Sequence, residues 1–152
     1  MNYLENYEFW LKAGLPDDVL QELESIRDND DELKGRFGGN LQFGTAGMRG
    51  IMGAGSNRLN SYTVRRAAQG MALWLSSTDL PQRAAIGYDS RHNSQLFAEV
   101  CAVAFAEKGI HTYLYDRLAP TPMLSFAVRE LGCGCGIVIS ASHNAGEYNG
   151  VK

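Results

Sequence analysis

The sequence has few cysteines, no cluster of basic residues and no long run of apolar residues. Its three cysteines are an odd number, which argues against a disulfide framework and favours a reduced, cytoplasmic location. The net charge is −3, and the lack of a basic run argues against a nucleic-acid partner. Because the apolar stretches are short and interrupted, no membrane span is expected, and the first residues lack the features of a secretion signal.

Apolar residues are nevertheless abundant enough for a core, and strand patterns alternate with helix patterns. Hydrophobic residues make up 45% of the 152 residues and charged residues 20%, so one folded domain is expected rather than disorder. Strands are predicted at 84–88, 112–115 and 136–140, and the helices between them begin near Asn93 and at Thr121. This alternation is typical of a parallel sheet covered by helices. We therefore predict an α/β fold, a three-layer αβα sandwich with a mostly parallel, mixed sheet.

An N-terminal helical arm is predicted at residues 1–40, before the main body at 41–152. Aromatic residues recur at helical spacing in the first eleven positions, and a second amphipathic helix is predicted after Pro16. The acidic stretch at 28–32 is interpreted as the solvated end of a helix. The segment 35–40 is interpreted as a glycine-bearing link, which places the boundary between arm and body there.

Two further helices have predicted buried faces. The first runs from Asn60, a favourable N-cap, to about Ser77. Its inward residues are predicted to be Val64, Ala67, Ala68, Met71, Trp74 and Leu75. The second is the helix that begins near Asn93. Its inward residues are predicted to be Leu96, Phe97, Val100, Cys101, Ala104 and Phe105.

A serine just after the last predicted strand is the main chemical signal. The apolar run 136–139 leads into residues 140–144, which read Ser-Ala-Ser-His-Asn, and then into a loop of small and polar residues. Open α/β sheets bind ligands at the carboxyl ends of their strands, so Ser142 lies at a candidate site. Such a serine can carry a phosphoryl group where N–H donors, cations and a metal surround it. Three other interpretations stay open from the residue types: a serine that only satisfies backbone groups, an ordinary turn, and a His143 without a catalytic part.

The glycine-rich stretch from Phe43 to Gly55 is a second candidate site. Its five glycines are too many for a helix, so a loop with short extended segments is predicted. Thr45 and Arg49 within it suit anion binding, because glycines expose N–H groups and arginine grips phosphate. A hairpin with glycine turns is the alternative. The stretch lacks the Gly-Lys-Ser/Thr of a P-loop, and residues 132–136 lack the third glycine of a dinucleotide-binding motif.

Other polar clusters carry weaker signals. The segment 89–91, Asp-Ser-Arg, follows a strand and could orient a site or form a local ion pair; we favour the ion pair. Cys133 and Cys135 form a lone C-x-C without a second cysteine pair, so a zinc site is not expected. A hydrolase built on Ser142 and His143 is not favoured, because the chain has no Gly-x-Ser-x-Gly elbow.

Four segments together resemble the α-D-phosphohexomutase superfamily, the phosphoglucomutase and phosphomannomutase group. A single motif of this kind would be weak, but four in the right order are highly specific. The resemblance covers most of the chain from residue 41 onward. The segments are Phe43–Gly50, Gly87–Arg91, Thr121-Pro122, and the loop Ser140–Asn144 followed by Tyr148–Lys152.

The resemblance implies an enzyme that interconverts sugar 1-phosphates and sugar 6-phosphates. In that family a phosphoserine donates its phosphoryl group to the substrate, a bisphosphorylated sugar forms, and the serine is rephosphorylated from the other end. Ser142 matches the phosphoserine; Ser140 is set aside because it is predicted to belong to the strand. The implied cofactors are Mg²⁺, with a phosphoryl oxygen on Ser142 as one ligand, and a glucose 1,6-bisphosphate-type activator that phosphorylates the serine.

The resemblance also assigns roles to five other residues. His143 and Lys152 would assist proton transfer and neutralise charge, and Arg49 would help to hold the phosphoryl group. Thr45 would contribute to phosphate binding, and Asn144 would shape the loop. These roles agree with the chemistry, because phosphoryl transfer needs positioning and cations more than covalent help.

The chain departs from the family pattern in two ways. The family loop often reads Thr-Ala-Ser-His-Asn-Pro, whereas Ser140 and Ala145 occupy its first and last positions here. Without the proline the turn is expected to be less rigid. Family members also have four domains, so we expect this chain to be domain I of a longer enzyme. Its partners would be the missing C-terminal domains, and alone it would not complete a catalytic cycle.

The helical arm narrows the branch of the family. Shorter members begin almost at the glycine-rich signature, so residues 1–40 resemble the phosphoglucomutase branch that includes phosphopentomutases. Glucose 1-phosphate is the preferred substrate, while mannose and pentose phosphates stay open. The alternative function is a sugar-phosphate-binding module that has lost turnover.

Overall fold

The computed structural model describes residues 2–152, which form six α-helices and five β-strands. The helices are α1 (Tyr3–Leu11), α2 (Asp17–Ser25), α3 (Asp30–Phe37), α4 (Ser61–Ser76), α5 (Ser94–Ala106) and α6 (Thr121–Glu130). The strands are β1 (Met48–Ile51), β2 (Arg83–Tyr88), β3 (His111–Leu114), β4 (Cys135–Ile139) and β5 (Tyr148–Val151). None of the helices described is both long and apolar enough to cross a membrane.

The five strands form one mixed sheet in the order β1-β5-β4-β2-β3. Strand β2 pairs in parallel with both β3 and β4, whereas β5 pairs antiparallel with β4 and with β1. The three parallel strands, β2, β3 and β4, are those that the alternating pattern predicted. Each begins one residue earlier than predicted. The predicted α/β class with a mixed sheet is confirmed.

Helices cover both faces of this sheet. On one face, α4 and α5 pack against Ile86, Ile137 and Ile139, all fully buried. On the other face, α6 packs against Ala85 and Val138. Neighbouring residues of one strand therefore serve opposite layers, as the period of two in a strand requires. The three-layer sandwich is confirmed.

The predicted helix from Asn60 to Ser77 is confirmed as α4. The Asn60 side-chain oxygen accepts hydrogen bonds from two backbone N–H groups of the first turn, at 3.0 and 3.1 Å. Two residues assigned to buried faces are in fact exposed: Trp74 by 52% and Leu96 by 47%. Only one stripe of residues on each helix faces the core. On α4 this stripe includes Leu75, and Trp74, its neighbour in the sequence, lies outside it.

A third helix of the arm was not predicted from the sequence pattern. The acidic stretch at 28–32 and the link at 35–40 were expected to be a helix end and a loop, but α3 covers 30–32 of the first and 35–37 of the second. Asn29 accepts a hydrogen bond from the Glu32 N–H, and acidic residues in the first turn suit the helix dipole. Burial of Leu33 and Phe37 offsets the roughly 1 kcal/mol cost of a glycine inside the helix.

The strand β5 was also missed. Residues 145–150 were interpreted as loop because asparagine and glycine are poor strand formers. Here Asn149 and Gly150 sit between two strands, and Gly150 lies opposite Arg49 of β1. Pairing on both sides thus outweighs the weak local preference. The preceding strand β4 ends at Ile139, so Ser140 lies just beyond it rather than inside it.

The arm packs against the body through a small apolar cluster and a buried arginine. Trp10 of α1 contacts Tyr62 of α4 edge-on, with ring centroids 5.6 Å apart. The Arg36 guanidinium forms ion pairs with Glu22 and Glu32 and donates to the Ala54 carbonyl of the body at 3.3 Å. The arm is therefore tied to the glycine-rich segment that leads out of β1.

Candidate active site

The candidate site lies at the carboxyl end of β4, where the chain turns through residues 140–147 before entering β5. We call these eight residues the serine loop. Its base is fixed by the Ser140 N–H, which donates to the Gly150 carbonyl at 2.9 Å. The position agrees with the rule that open α/β sheets place ligands beyond the carboxyl ends of their strands.

Ser142 is exposed on this loop in an unusual backbone conformation. Its φ is +60°, a left-handed value that residues with a side chain rarely adopt. The Ser142 N–H donates to the Ser140 hydroxyl at 3.0 Å, so Ser140 supports the backbone of Ser142. The turn continues with the Asn144 N–H donating to the Ala141 carbonyl at 3.2 Å. The loop therefore presents the Ser142 hydroxyl outward from a defined turn.

His143 lies beside that hydroxyl. Its Nδ1 atom is 3.5 Å from the Ser142 Oγ, at the outer limit of a hydrogen bond. Both side chains are exposed. The two residues are thus close enough for a proton to pass with a small movement, although the observed contact is weak.

Arg49 approaches the loop from β1. Its guanidinium donates from Nη1 to the Asn144 side-chain oxygen at 3.3 Å. Its Nε atom is buried and has no hydrogen-bond partner among residues 2–152. A buried donor without a partner is costly, so this nitrogen is an unsatisfied group at the edge of the site. The structure therefore brings together two predicted site residues that are 95 positions apart.

Lys152 lies directly after β5, and its backbone exchanges two hydrogen bonds with Val138 at 2.9 and 3.0 Å. Burial lowers the pKa of its amine, and the nearby charge of Arg49 lowers the pKa further. Asp89 acts in the opposite direction, and Arg91 adds to the lowering. An amine with a lowered pKa is better suited to proton transfer near neutral pH than an ordinary lysine.

We expect the lowered pKa of Lys152 to be measurable by amine labelling. Only the neutral amine reacts, so the labelling rate rises with pH, and its midpoint for Lys152 should lie below that for Lys34. Lys34 is the matched reference, because its hydrogen bond to Asp30 raises the pKa of its amine. Arg49→Gln should move the Lys152 midpoint upward. The midpoints are read from peptide mass spectrometry, and equal midpoints for the two lysines would contradict the assignment.

Thr45 is exposed in a turn at the start of the glycine-rich stretch. Gly44 and Gly47 close this turn by two backbone hydrogen bonds, at 2.9 and 3.1 Å. The turn lies against the end of β5: a Cβ atom on Gly47 would be 3.1 Å from the Lys152 side chain. The turn that carries Thr45 therefore lies beside Lys152, and the phosphate-binding role of Thr45 stays a prediction. The hairpin alternative is correct for this turn, and it does not exclude anion binding.

The number of contacts that Arg91 makes at the site was underestimated from the sequence. The ion pair favoured from the sequence exists, with the Arg91 Nε 3.5 Å from an Asp89 oxygen. The same guanidinium also donates to backbone carbonyls of the serine loop. The local signal was an arginine directly after a strand end; the ion pair is present, and the orienting of a site stays a hypothesis.

The described residues do not form a metal site by themselves. No group of three or more His, Cys, Asp or Glu side chains converges anywhere in residues 2–152. One oxygen of Asp89 already accepts hydrogen bonds from Ser94 and from the Arg91 N–H, and the other faces the Arg91 guanidinium. The charged side chains that contact the serine loop are arginines. They suit the binding of a phosphoryl group and would not by themselves hold a metal ion.

Comparison with known proteins gives a consistent picture. Residues 40–152 match the family model "Phosphoglucomutase/phosphomannomutase, alpha/beta/alpha domain I". A Schizosaccharomyces pombe protein assigned as a phosphoribomutase is 40% identical over 149 residues, covering 94% of this chain and 25% of its own length. A phosphoglucomutase of Staphylococcus aureus (strain MRSA252) is 41% identical over 145 residues, covering 95% of this chain and 26% of its own.

A solved structure supports the same relationship. A Thermus thermophilus protein assigned as a phosphomannomutase superposes with a TM-score of 0.69 at 32% identity, over 75% of this chain and 25% of that one. The chain therefore spans about a quarter of the length of the relatives that it matches.

Proposed function

Because the chain belongs to the phosphoglucomutase/phosphomannomutase family, whose domain I matches residues 40–152, we propose that it is the serine-bearing domain of a phosphosugar mutase. One observation carries the proposal. An exposed serine, Ser142, sits in a fixed left-handed turn at a strand end, and cations from three other segments surround its loop. Phosphoryl transfer needs this combination of positioning and positive charge.

The proposed reaction has two balanced halves. In the first, the P–O bond of phosphorylated Ser142 breaks and a new P–O bond forms to the free hydroxyl of a sugar monophosphate. The hydroxyl loses its proton, and the serine oxygen regains one. In the second half, the bisphosphorylated sugar turns around and returns its other phosphoryl group to Ser142. The net result is a sugar 1-phosphate converted to a sugar 6-phosphate, or the reverse.

The surrounding residues have separate parts in this scheme. His143 is the group nearest the Ser142 oxygen and is proposed to exchange a proton with it. Lys152, whose pKa is lowered by burial, is the second candidate for proton transfer. Arg49 is proposed to hold phosphoryl oxygens through its guanidinium, while Asn144 keeps this group in place. Thr45, in its exposed turn, is proposed to add a hydroxyl donor.

A magnesium ion and an activator that supplies the first phosphoryl group are also part of the proposal. The residues described here do not supply a metal cage. The Mg²⁺ would therefore be held by carboxylates of other domains, with a phosphoryl oxygen on Ser142 as one ligand. A glucose 1,6-bisphosphate-type activator would place the first phosphoryl group on the serine.

Glucose phosphate is the proposed substrate. The relative from Staphylococcus aureus is a phosphoglucomutase that matches across the helical arm as well as the body, with 95% of this chain covered. Pentose and mannose phosphates remain the alternatives, since the other relatives are assigned to those sugars. A sugar-phosphate-binding module without turnover is the alternative of a different class.

The division of the chain is proposed in the same way. Residues 1–40 form the arm and 41–152 the phosphoserine domain, within an enzyme about four times as long as this chain, like its relatives. The proposed location is cytoplasmic, because the three cysteines are free thiols.

The proposed function predicts a phosphate on Ser142. The full-length protein that carries this domain should show a phosphorylated fraction by intact-mass measurement, and peptide sequencing should place the phosphate on Ser142. Incubation with glucose 1,6-bisphosphate should raise that fraction. The variant Ser140→Ala is the matched control, since it keeps the Ser142 hydroxyl and should still be phosphorylated. A phosphate found only at other positions would contradict the proposal.

A further inference from the structure

We propose that Arg91 is a positioning residue for Ser142, holding the serine loop in the single backbone conformation that presents the hydroxyl for phosphoryl transfer. The inference rests on the proposed function and adds to it a residue that never needs to touch the substrate. This one side chain connects the end of β2 to a loop more than 50 positions later.

The two terminal nitrogens of the Arg91 guanidinium donate to four carbonyls. Nη2 donates to the carbonyls of Ser142 and Asn144, at 2.9 and 2.6 Å. Nη1 donates to the carbonyls of Ala145 and Tyr148, at 2.8 and 3.0 Å. The remaining Nε–H faces Asp89. A guanidinium has five donors in one plane, and here four of them meet carbonyl oxygens while the fifth lies in an ion pair.

These four carbonyls belong to consecutive parts of the serine loop and the first residue of β5. The Ala145 carbonyl also accepts from the Tyr148 N–H at 3.0 Å, whereas among the described residues no backbone N–H of the loop donates to the Ser142 or Asn144 carbonyl. Convergence on one planar ion sets their mutual orientation, and with it the left-handed φ of +60° at Ser142. A residue with a side chain holds such a conformation only where its surroundings impose it.

The guanidinium is itself held in place. Asp89 accepts from the Arg91 N–H at 3.0 Å and from the Ser94 hydroxyl at 2.7 Å. The fully buried Asn149, at the start of β5, donates to that hydroxyl and to the His92 carbonyl, each at 2.9 Å. The Arg91 side chain is only 15% exposed. One network thus connects the end of β2, the start of α5 and both ends of the serine loop.

Lysine cannot replace arginine in this role. Its ammonium group has three donors around a single point and cannot reach four carbonyls spread along a loop. Arg91→Lys therefore keeps the positive charge near Ser142 and removes the planar arrangement. This variant separates the charge of the residue from its geometry.

The test is steady-state kinetics of the full-length mutase, with rates divided by the amount of phosphorylated Ser142. Arg91→Lys should lower kcat about 30-fold, because small misplacements of a reacting group cost up to roughly 100-fold, while KM changes by less than about threefold. Arg91→Ala should recover part of its kcat in millimolar guanidinium but not in equal sodium chloride. Arg83→Lys is the matched control: Arg83 makes one long bond to the Leu131 carbonyl, at 3.4 Å, and should keep wild-type kinetics.

The outcomes separate this inference from the proposed function. A wild-type protein without phosphate on Ser142 would overturn the proposed function. A wild-type protein with that phosphate, together with an Arg91→Lys variant of normal kcat, would overturn the inference alone. An Arg91→Lys variant that no longer folds would also count against it, because Arg91 would then hold the fold rather than the loop.

Discussion

Replacing Ser142 by alanine is expected to abolish mutase turnover in the full-length protein while leaving the fold intact. The hydroxyl is the proposed carrier of the phosphoryl group, and no neighbouring group can replace it. Removal of a covalent nucleophile typically lowers kcat by about 10⁴-fold or more. The side chain is exposed, so its loss should not disturb the core.

A companion variant, Ser142→Gly, makes the same test independent of stability. At a φ of +60° glycine removes a strain of roughly 1–2 kcal/mol that any residue with a side chain bears. Glycine also makes the unfolded chain more flexible, which offsets about 0.4–1 kcal/mol of that gain. Ser142→Gly should therefore be as stable as the wild type or slightly more stable, and equally inactive.

Both variants are to be measured by coupled assay of glucose 6-phosphate formation and by urea unfolding. A loss of activity shared by alanine and glycine, with unfolding free energies no lower than about that of the wild type, assigns the effect to the hydroxyl. Near-normal turnover in either variant would refute the role of Ser142 as phosphoryl carrier.

The parallel half of the fold could be predicted from sequence because its signals are local. Strands β2 and β4 are apolar runs bounded by turn residues, and α4 begins at a side chain that caps it. The elements that were missed depend on contacts far away in the chain. Strand β5 exists because it has neighbours on both sides, and α3 exists because Phe37 packs against Tyr7 of the arm.

The candidate site shows the same division. The family resemblance from four motifs is confirmed, and it rests on residues that are contiguous in the chain. The contact of Arg49 with Asn144 and the bonds from Arg91 to the serine loop join residues that the sequence separates widely. Residue types alone indicate that an arginine near a strand end binds an anion or a carboxylate. They do not reveal that it binds carbonyl groups of a loop.

The second large effect is expected at Gly47, between the Thr45 turn and β1. Its φ is +99°, and a Cβ atom added there would lie 2.2 Å from the Val151 carbonyl oxygen and 3.0 Å from the Lys152 Cα. Both obstacles are backbone atoms of paired strands, so neither can rotate away. Gly47→Ala should therefore push β1 from β5 and displace Arg49 and Lys152 together.

We expect Gly47→Ala to lower the free energy of unfolding by about 3 kcal/mol, the sum of backbone strain and overpacking. Two other glycines separate these contributions. Gly14 has a φ of +68° and open space, so Gly14→Ala should cost only the strain, about 1 kcal/mol. Gly70 lies inside α4 with nothing within 4 Å, so Gly70→Ala should stabilise the fold by about 1 kcal/mol.

Urea unfolding of the three variants tests this order directly. If Gly47→Ala were no less stable than Gly14→Ala, the contact between the glycine-rich turn and the end of β5 would have to be loose. Arg49 and Lys152 would then not be held by a common backbone contact, and the site would need a partner domain to assemble it. If the expected order is found, the two cations are held together by the fold of this domain, before any substrate or other domain arrives.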